Sequence, residues 1–190
     1  KECLFRKTQA RLQGHQMDSL MDIAILEGKH PAYFKNYLSY LSDGPVLEIW
    51  ENYLPATLAF WRSISEAEAN YAYAEGKWTI KEMLLHIIDT DRIFAYRALA
   101  ISRGEKQALP SYDQDLYVAN SDANSRAYED ILKEYESVKI ANLSLLQSFN
   151  EQQWQASGMM ADAETSVLAL AYVMPGHDLH HIEICKSRYF

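Results

Sequence analysis

The sequence predicts an all-α fold: a four-helix bundle of up-down-down-up order with an N-terminal helical extension. Three observations predict it. Apolar residues recur at steps of three and four along four long segments. Only 7 glycines and 5 prolines punctuate 190 residues, too few for a turn-rich β design. Helix-start residues precede several of the periodic segments. Apolar residues make up 48% of the chain, enough to fill one core without disulfide support.

Residues 1–42 read as the extension, a helical arm expected to pack on the body or on a partner subunit. They carry mixed charge, a short apolar run at 20–26 and a break at Gly28-Lys29-His30-Pro31. The bundle domain spans 43–190 and opens after Asp43-Gly44-Pro45, where proline suits a first helical turn. Leu47, Trp50, Leu54, Leu58 and Trp61 form one stripe, which predicts a helix over 46–64. Pro55 falls inside it and is expected to kink it.

Thr79-Ile80-Lys81-Glu82 is a capping box, in which hydroxyl and carboxylate each satisfy an orphan backbone N–H. Ile80, Met83, Leu84, Ile87, Phe94 and Leu99 carry this second helix to Gly104, a residue suited to a left-handed terminus. Residues 104–124 are a polar connection with room for one short helix. Tyr128, Ile131, Leu132, Tyr135, Val138, Leu143 and Leu146 then mark a third helix over 126–149. A second polar link ends at the N-cap candidate Thr165-Ser166, and a fourth helix runs from there to about residue 187. A tight loop makes neighbouring helices antiparallel, whereas about 20 residues can cross a bundle. The 104–124 link therefore lets helices two and three run parallel, with helix two antiparallel to helix four.

Charge and composition exclude some functions. A formal charge of -8 argues against a nucleic-acid partner held by phosphate contacts. No run reaches the roughly 18 apolar residues that a membrane span needs. The two cysteines, Cys3 and Cys185, are too few for a disulfide framework, and the N-terminal stretch lacks the apolar run of a secretion signal. A reducing, cytoplasmic location is expected.

His177 and His181 stand four apart in the fourth helix, so they share a face with Cβ atoms roughly 6 Å apart. Two such imidazoles can converge on one ion. His86 lies about six residues into helix two, roughly 9 Å from its start. The 177/181 pair lies roughly 13 Å from the end of helix four. In the antiparallel arrangement all three imidazoles fall at nearly one level. Three neutral nitrogens with an open fourth position suit a catalytic divalent metal. Such an ion generates a nucleophile from water or a thiol near neutral pH.

The blocks Gly76-Lys77-Trp78-Thr79-Ile80-Lys81-Glu82 with His86, Leu109-Pro110-Ser111-Tyr112-Asp113-Gln114-Asp115, and Gly176-His177-Asp178-Leu179-His180-His181-Ile182 resemble the DinB/YfiT-like superfamily. Order and spacing match over roughly residues 43–190. The resemblance implies a four-helix bundle of this topology, commonly dimeric. It also implies a three-histidine zinc or nickel site on His86, His177 and His181. Some members are transferases or isomerases that use low-molecular-weight thiols. Where those members often show an aromatic residue and a histidine, this chain has Met174-Pro175-Gly176.

Other residues carry weaker signals. His180 points about 100° from His181 and is expected near the site or at the surface. Cys185, one turn beyond His181, reads as a small buried hydrophobe rather than a fourth ligand. Asp89 and Asp178 are expected to orient a ligand imidazole or to be ordinary solvated residues. Pro175 marks either a kink before the pair or a late helix start. Arg97 is expected in a surface salt bridge, with contact to an anionic substrate as the alternative. Tyr112 and Asp113 are expected to cap the bundle near the metal, touching substrate or anchoring the loop. Glu27 and His30 have the spacing of a di-iron motif, but one copy enclosing a glycine does not make such a site.

The expectation is a metal-dependent enzyme in which the ion activates a thiol or water for attack on a small electrophile. An S-transferase with a cytosolic thiol cosubstrate and a small amide or ester hydrolase are its two forms. A non-catalytic metal- or ligand-binding bundle is the alternative. A small-molecule substrate and a homodimer are the expected partners.

Overall fold

A computed structural model describes Leu26 and residues 29–190. The part of the expected extension before Leu26, and Glu27 and Gly28, lie outside the described residues. Four long helices form the body: α2 (Val46–Arg62), α4 (Ile80–Ser102), α6 (Tyr128–Gln147) and α8 (Val167–Arg188). Shorter pieces decorate it: α1 (Phe34–Leu38), α3 (Glu66–Ala69), α5 (Gln114–Ala119), α7 (Glu151–Trp154), and a hairpin of β1 (Ser157–Met160) and β2 (Ala163–Ser166). No helix among the described residues is long and apolar enough to cross a membrane.

The helix ends follow from the chemistry of their caps. The Thr79 hydroxyl accepts from the Glu82 N–H while the Glu82 carboxylate accepts from the Thr79 N–H at 2.7 Å, so α4 starts where the capping box places it. It stops at Gly104, which takes the left-handed φ of +87° that a side chain disfavours. Ser166 caps α8, accepting from the Ala169 N–H at 3.0 Å. Pro55 is accommodated within an unbroken α2. Pro175 likewise lies inside α8, so it does not mark a helix start.

Cross-helix bonds give the topology. Lys81 at the start of α4 donates to the Arg126 carbonyl just before α6, and farther along the Asp91 carboxylate pairs with Lys139 at 2.7 Å. Helices α4 and α6 therefore run parallel. At the same N-terminal pole of α4, Tyr189 beyond the end of α8 donates to the Trp78 carbonyl before its start, which makes α4 and α8 antiparallel. Trp50 and Trp61 of α2 donate to the Ala171 carbonyl and the Asp178 carboxylate of α8 in the same sequence order, so those helices are parallel. The order is up-down-down-up.

The second polar link holds structure that the periodicity does not announce. Strands β1 and β2 pair antiparallel, with Met160 opposite Ala163. The tip residue Ala161 has φ +54°, a conformation normally given to glycine or asparagine. Leu109 bonds on both sides of Met160, donating to the Met159 carbonyl at 2.9 Å and accepting from the Ala161 N–H at 2.8 Å. This ties the 104–113 loop to the hairpin beside the bundle.

Residues 29–42 pack against the body. Phe34 is fully buried in the core that α8 lines, and α1 lies across α8 at Gly176. A Cβ built on Gly176 would meet the Tyr37 carbonyl oxygen at 2.5 Å, so the close approach requires glycine.

Candidate metal centre

Helices α4 and α8 bring His86, His177 and His181 together at the level expected from their sequence positions. Nε2 of His177 lies 3.1 Å from Nε2 of His86 and 3.0 Å from Nε2 of His181. All three side chains are buried. Tetrahedral ligands bound at about 2.0–2.1 Å stand about 3.3 Å apart, so the ring nitrogens already have nearly the spacing of ligands around one ion. No other His, Cys, Asp or Glu joins this cluster among the described residues.

The electrostatics suit a cation of higher charge than a proton. Burial pushes the His86 imidazole down to about 4 and holds His177 and His181 well below the usual histidine range, where neighbouring histidines depress the latter two further. The rings are neutral at pH 7, with lone pairs available. Nδ1 of His177 and of His181 makes no hydrogen bond among the described residues, so no partner there fixes either tautomer. Converging lone pairs about 3 Å apart repel one another unless a cation sits between them. These residues fit a single divalent ion as neutral donors.

Packing, rather than hydrogen bonding, holds the rings. The Tyr37 ring meets His177 edge-on at 5.2 Å, and the Trp78 ring covers His86 at 4.9 Å. His180 turns away to meet the Tyr40 hydroxyl at 3.2 Å. Cys185 is fully buried among Trp61, Ile182 and their neighbours, and burial pushes its thiol up to about 12, an unreactive form.

Asp178 is neither solvated nor bonded to a ligand ring. It is fully buried, accepting from Trp61 of α2 and the Tyr135 hydroxyl of α6, and it pairs with Lys139 of α6 at 3.1 Å. Lys139 also binds Asp91 of α4, so one fully buried network joins all four long helices next to His177. Burial raises Asp91 to about 6 against the pull of Lys139, whose own proton is held more tightly by the two carboxylates. Asp91 and Lys139 were legible in part: each lies eleven residues into a parallel helix on its apolar stripe, with opposite charge. Asp89 faces Arg92 instead, at 3.6 Å.

A cavity of about 700 Å³ opens onto His177. Tyr33, Tyr37, Phe94, Arg97, Tyr112 and Met160 are among its lining residues. Arg97 is not a surface residue: it is 3% exposed, and its Nη2 donates to the Pro110 carbonyl at 2.6 Å. The Tyr112 hydroxyl shares a 2.6 Å hydrogen bond with Thr90, one turn beyond His86. Asp113 caps α5 by accepting from the Asp115 and Leu116 N–H groups, an anchoring role. A second cavity of about 550 Å³ lies by the far ends of β1 and α7, away from the histidines. A third, of about 530 Å³, is lined by Trp78, Tyr73, Asp115 and His181. Sequence patterning did not reveal Tyr37, because its place over His177 depends on the seat of α1 on Gly176.

Fold and site together define a helical bundle with a buried three-histidine cluster beside a small-molecule-sized cavity. The family model of the DinB superfamily matches residues 50–185, and the chain belongs to that superfamily. The "Putative metal-dependent hydrolase OB0413" of Oceanobacillus iheyensis is 26% identical over 141 residues, covering 74% of this chain and 79% of that one. YfiT from Bacillus subtilis, described as a probable metal-dependent hydrolase with an unusual four-helix bundle topology, superposes with a TM-score of 0.63. It is 17% identical, with 85% of this chain and 90% of that chain covered. A mycothiol-dependent maleylpyruvate isomerase aligns at TM-score 0.55 and 13% identity, over 78% of this chain and 59% of that one. At those identities the two structures speak for the fold.

Proposed function

We propose that the protein is a metal-dependent enzyme acting on a small molecule, with His86, His177 and His181 as the ligands of one zinc or nickel ion. The observation that carries this reading is the convergence of three buried, neutral Nε2 atoms, with His177 lining a 700 Å³ cavity. A divalent ion held by three neutral nitrogens supplies Lewis acidity and lowers the pKa of a water or thiol at its open position. The chain's own groups do the rest. Phe94 and Met160 give the cavity apolar wall, and burial keeps the Tyr37 and Tyr112 phenols protonated as hydrogen-bond donors. The Asp178–Lys139–Asp91 network holds α8 in register with α4, which fixes the two histidine-bearing faces against each other.

Hydrolysis of a small amide or ester is the first reading, supported by the names of the Oceanobacillus and Bacillus relatives. The separate cavity at His181 favours a second, in which a cosubstrate thiol occupies one side of the cluster and an electrophile the other. A homodimer in a reducing cytoplasm belongs to the same proposal. The test is turnover by zinc- or nickel-loaded protein of activated esters and of alkylating electrophiles, with and without a low-molecular-weight thiol. Product release with water alone supports the hydrolase; turnover only with thiol supports the transferase. Inactivity of the metal-loaded protein toward both panels leaves a non-catalytic metal-binding bundle and overturns the proposal.

A further inference from the structure

Arg97 is a buried cation with no anion beside it among the described residues. The groups that act on it are the Tyr33 and Tyr112 phenols, and no carboxylate among the described residues pairs with it. Its contacts are the Pro110 carbonyl and two ring faces, Phe94 at 5.6 Å and Tyr112 at 5.9 Å from the guanidinium carbon. A carbonyl uses one of five N–H donors and neutralises no charge. Asp162 also lines this cavity, yet it is exposed at the mouth and does not reach ion-pairing distance of Arg97. Desolvating a guanidinium is costly unless an opposite charge meets it. Among the described residues the wall does not supply that charge, and the cavity has room for it to enter with a ligand.

Position links this cation to the histidine cluster. His86, Thr90, Phe94 and Arg97 follow one another at steps of four, four and three along α4, so they share a face. Eleven residues separate His86 from Arg97, a Cα separation of about 16 Å. The guanidinium folds back over Phe94, the preceding turn, which brings the charge to the level of a residue about 12 Å along the helix from His86. Arg97 and His177 line the same cavity.

We infer that the substrate of the three-histidine site is an organic carboxylate, its anionic end paired with Arg97 and its reacting end at His177. The inference rests on the reading of the site as a small-molecule centre and adds the chemical class of the molecule. Planar guanidinium N–H groups accept a carboxylate in two parallel hydrogen bonds, and the aromatic walls of Phe94, Tyr33 and Tyr112 accept an apolar middle. The neutral carbonyl of Pro110 then serves to aim the guanidinium rather than to balance it.

The test is calorimetric titration with a series of ω-phenyl carboxylates, 4-phenylbutyrate among them, beside their uncharged amides. Metal-free and zinc-supplemented protein are both titrated. The parent should bind at least one carboxylate about tenfold more tightly than its amide, in both forms of the protein. Arg97→Gln should lose that preference while binding the amide as before. Should Arg97→Gln fail to fold, Arg97→Lys serves: it keeps the charge but loses the two-bond geometry, and carboxylate affinity should fall severalfold with the amide unchanged. Equal affinity for acid and amide, no measurable binding of any member, or a preference that survives in Arg97→Gln overturns the inference. The metal-free arm separates the two claims. A preference seen without metal supports Arg97 even if zinc never binds, and zinc uptake without any preference leaves the histidine site standing alone.

Discussion

Replacing Gly176 by alanine tests how the cluster is covered. The new Cβ would stand 2.5 Å from the Tyr37 carbonyl oxygen and 2.8 Å from its carbon, where contacts under 3.0 Å are essentially never seen. The obstacle is backbone, so no side-chain rotation relieves it. The carbonyl must retreat by about half an ångström to reach 3.0 Å, against an α1 pinned by the fully buried Phe34. Overpacking costs about 1–3 kcal/mol, and a clash with backbone falls in the upper part of that range, about 2–3 kcal/mol. Alanine returns up to about 1 kcal/mol through helix propensity. The net loss is about 1–2 kcal/mol, a fall in melting temperature of about 2–8 °C for a chain of this size. Tyr37 should also lift from His177, and trypsin should cleave sooner at Lys29 and Lys35. Thermal unfolding followed by circular dichroism, with timed proteolysis, reads both effects. A variant as stable as the parent, or more stable by the propensity gain, would refute the seat of α1 on α8.

Three more outcomes follow from the buried groups. Burial lowers His86 to about 4 and depresses His177 and His181, so below the unfolded value of about 6.5 the unfolded chain binds protons that the native site refuses. Metal-free protein is therefore most stable above about pH 6.5 and weakens toward pH 4, by up to about 1.4 kcal/mol per pH unit per histidine. A urea midpoint unchanged between about pH 7.5 and about pH 5 contradicts this. Lys139→Met should destabilise by about 3–5 kcal/mol in urea unfolding, because Asp91 and Asp178 lose their shared cation; a loss below about 1 kcal/mol refutes the network. In a Cys3→Ser background, Cys185 should react with an aromatic disulfide only after unfolding, and reaction at the rate of a free thiol shows that it is not buried.

Periodicity exposed the four long helices because each buries one stripe, and the Thr79 capping box and Gly104 located the ends of α4 to within a residue or two. The triad was legible because helix rise converts sequence position into height, and two antiparallel helices bring equal heights together. The hairpin was not, since its tip uses Ala161 at positive φ where a turn would advertise itself with glycine or asparagine. Arg97 read as a surface charge, and Asp178 as a solvated residue or a partner of a ligand imidazole, because charged residues are seldom buried unless paired. Asp178 is buried with a pairing Lys139, whereas Arg97 is buried beside a cavity. Both depend on which helices meet, which one strand of sequence does not state.

The proposed function stands or falls with one divalent metal held by His86, His177 and His181. Metal content by mass spectrometry, on the parent and on a His177→Ala/His181→Ala variant, tests it most directly. The parent should carry close to one zinc or nickel ion per chain, with the ion lost from the variant while its helical signal persists. A folded parent that carries no metal and takes up neither zinc nor nickel when supplied would contradict it.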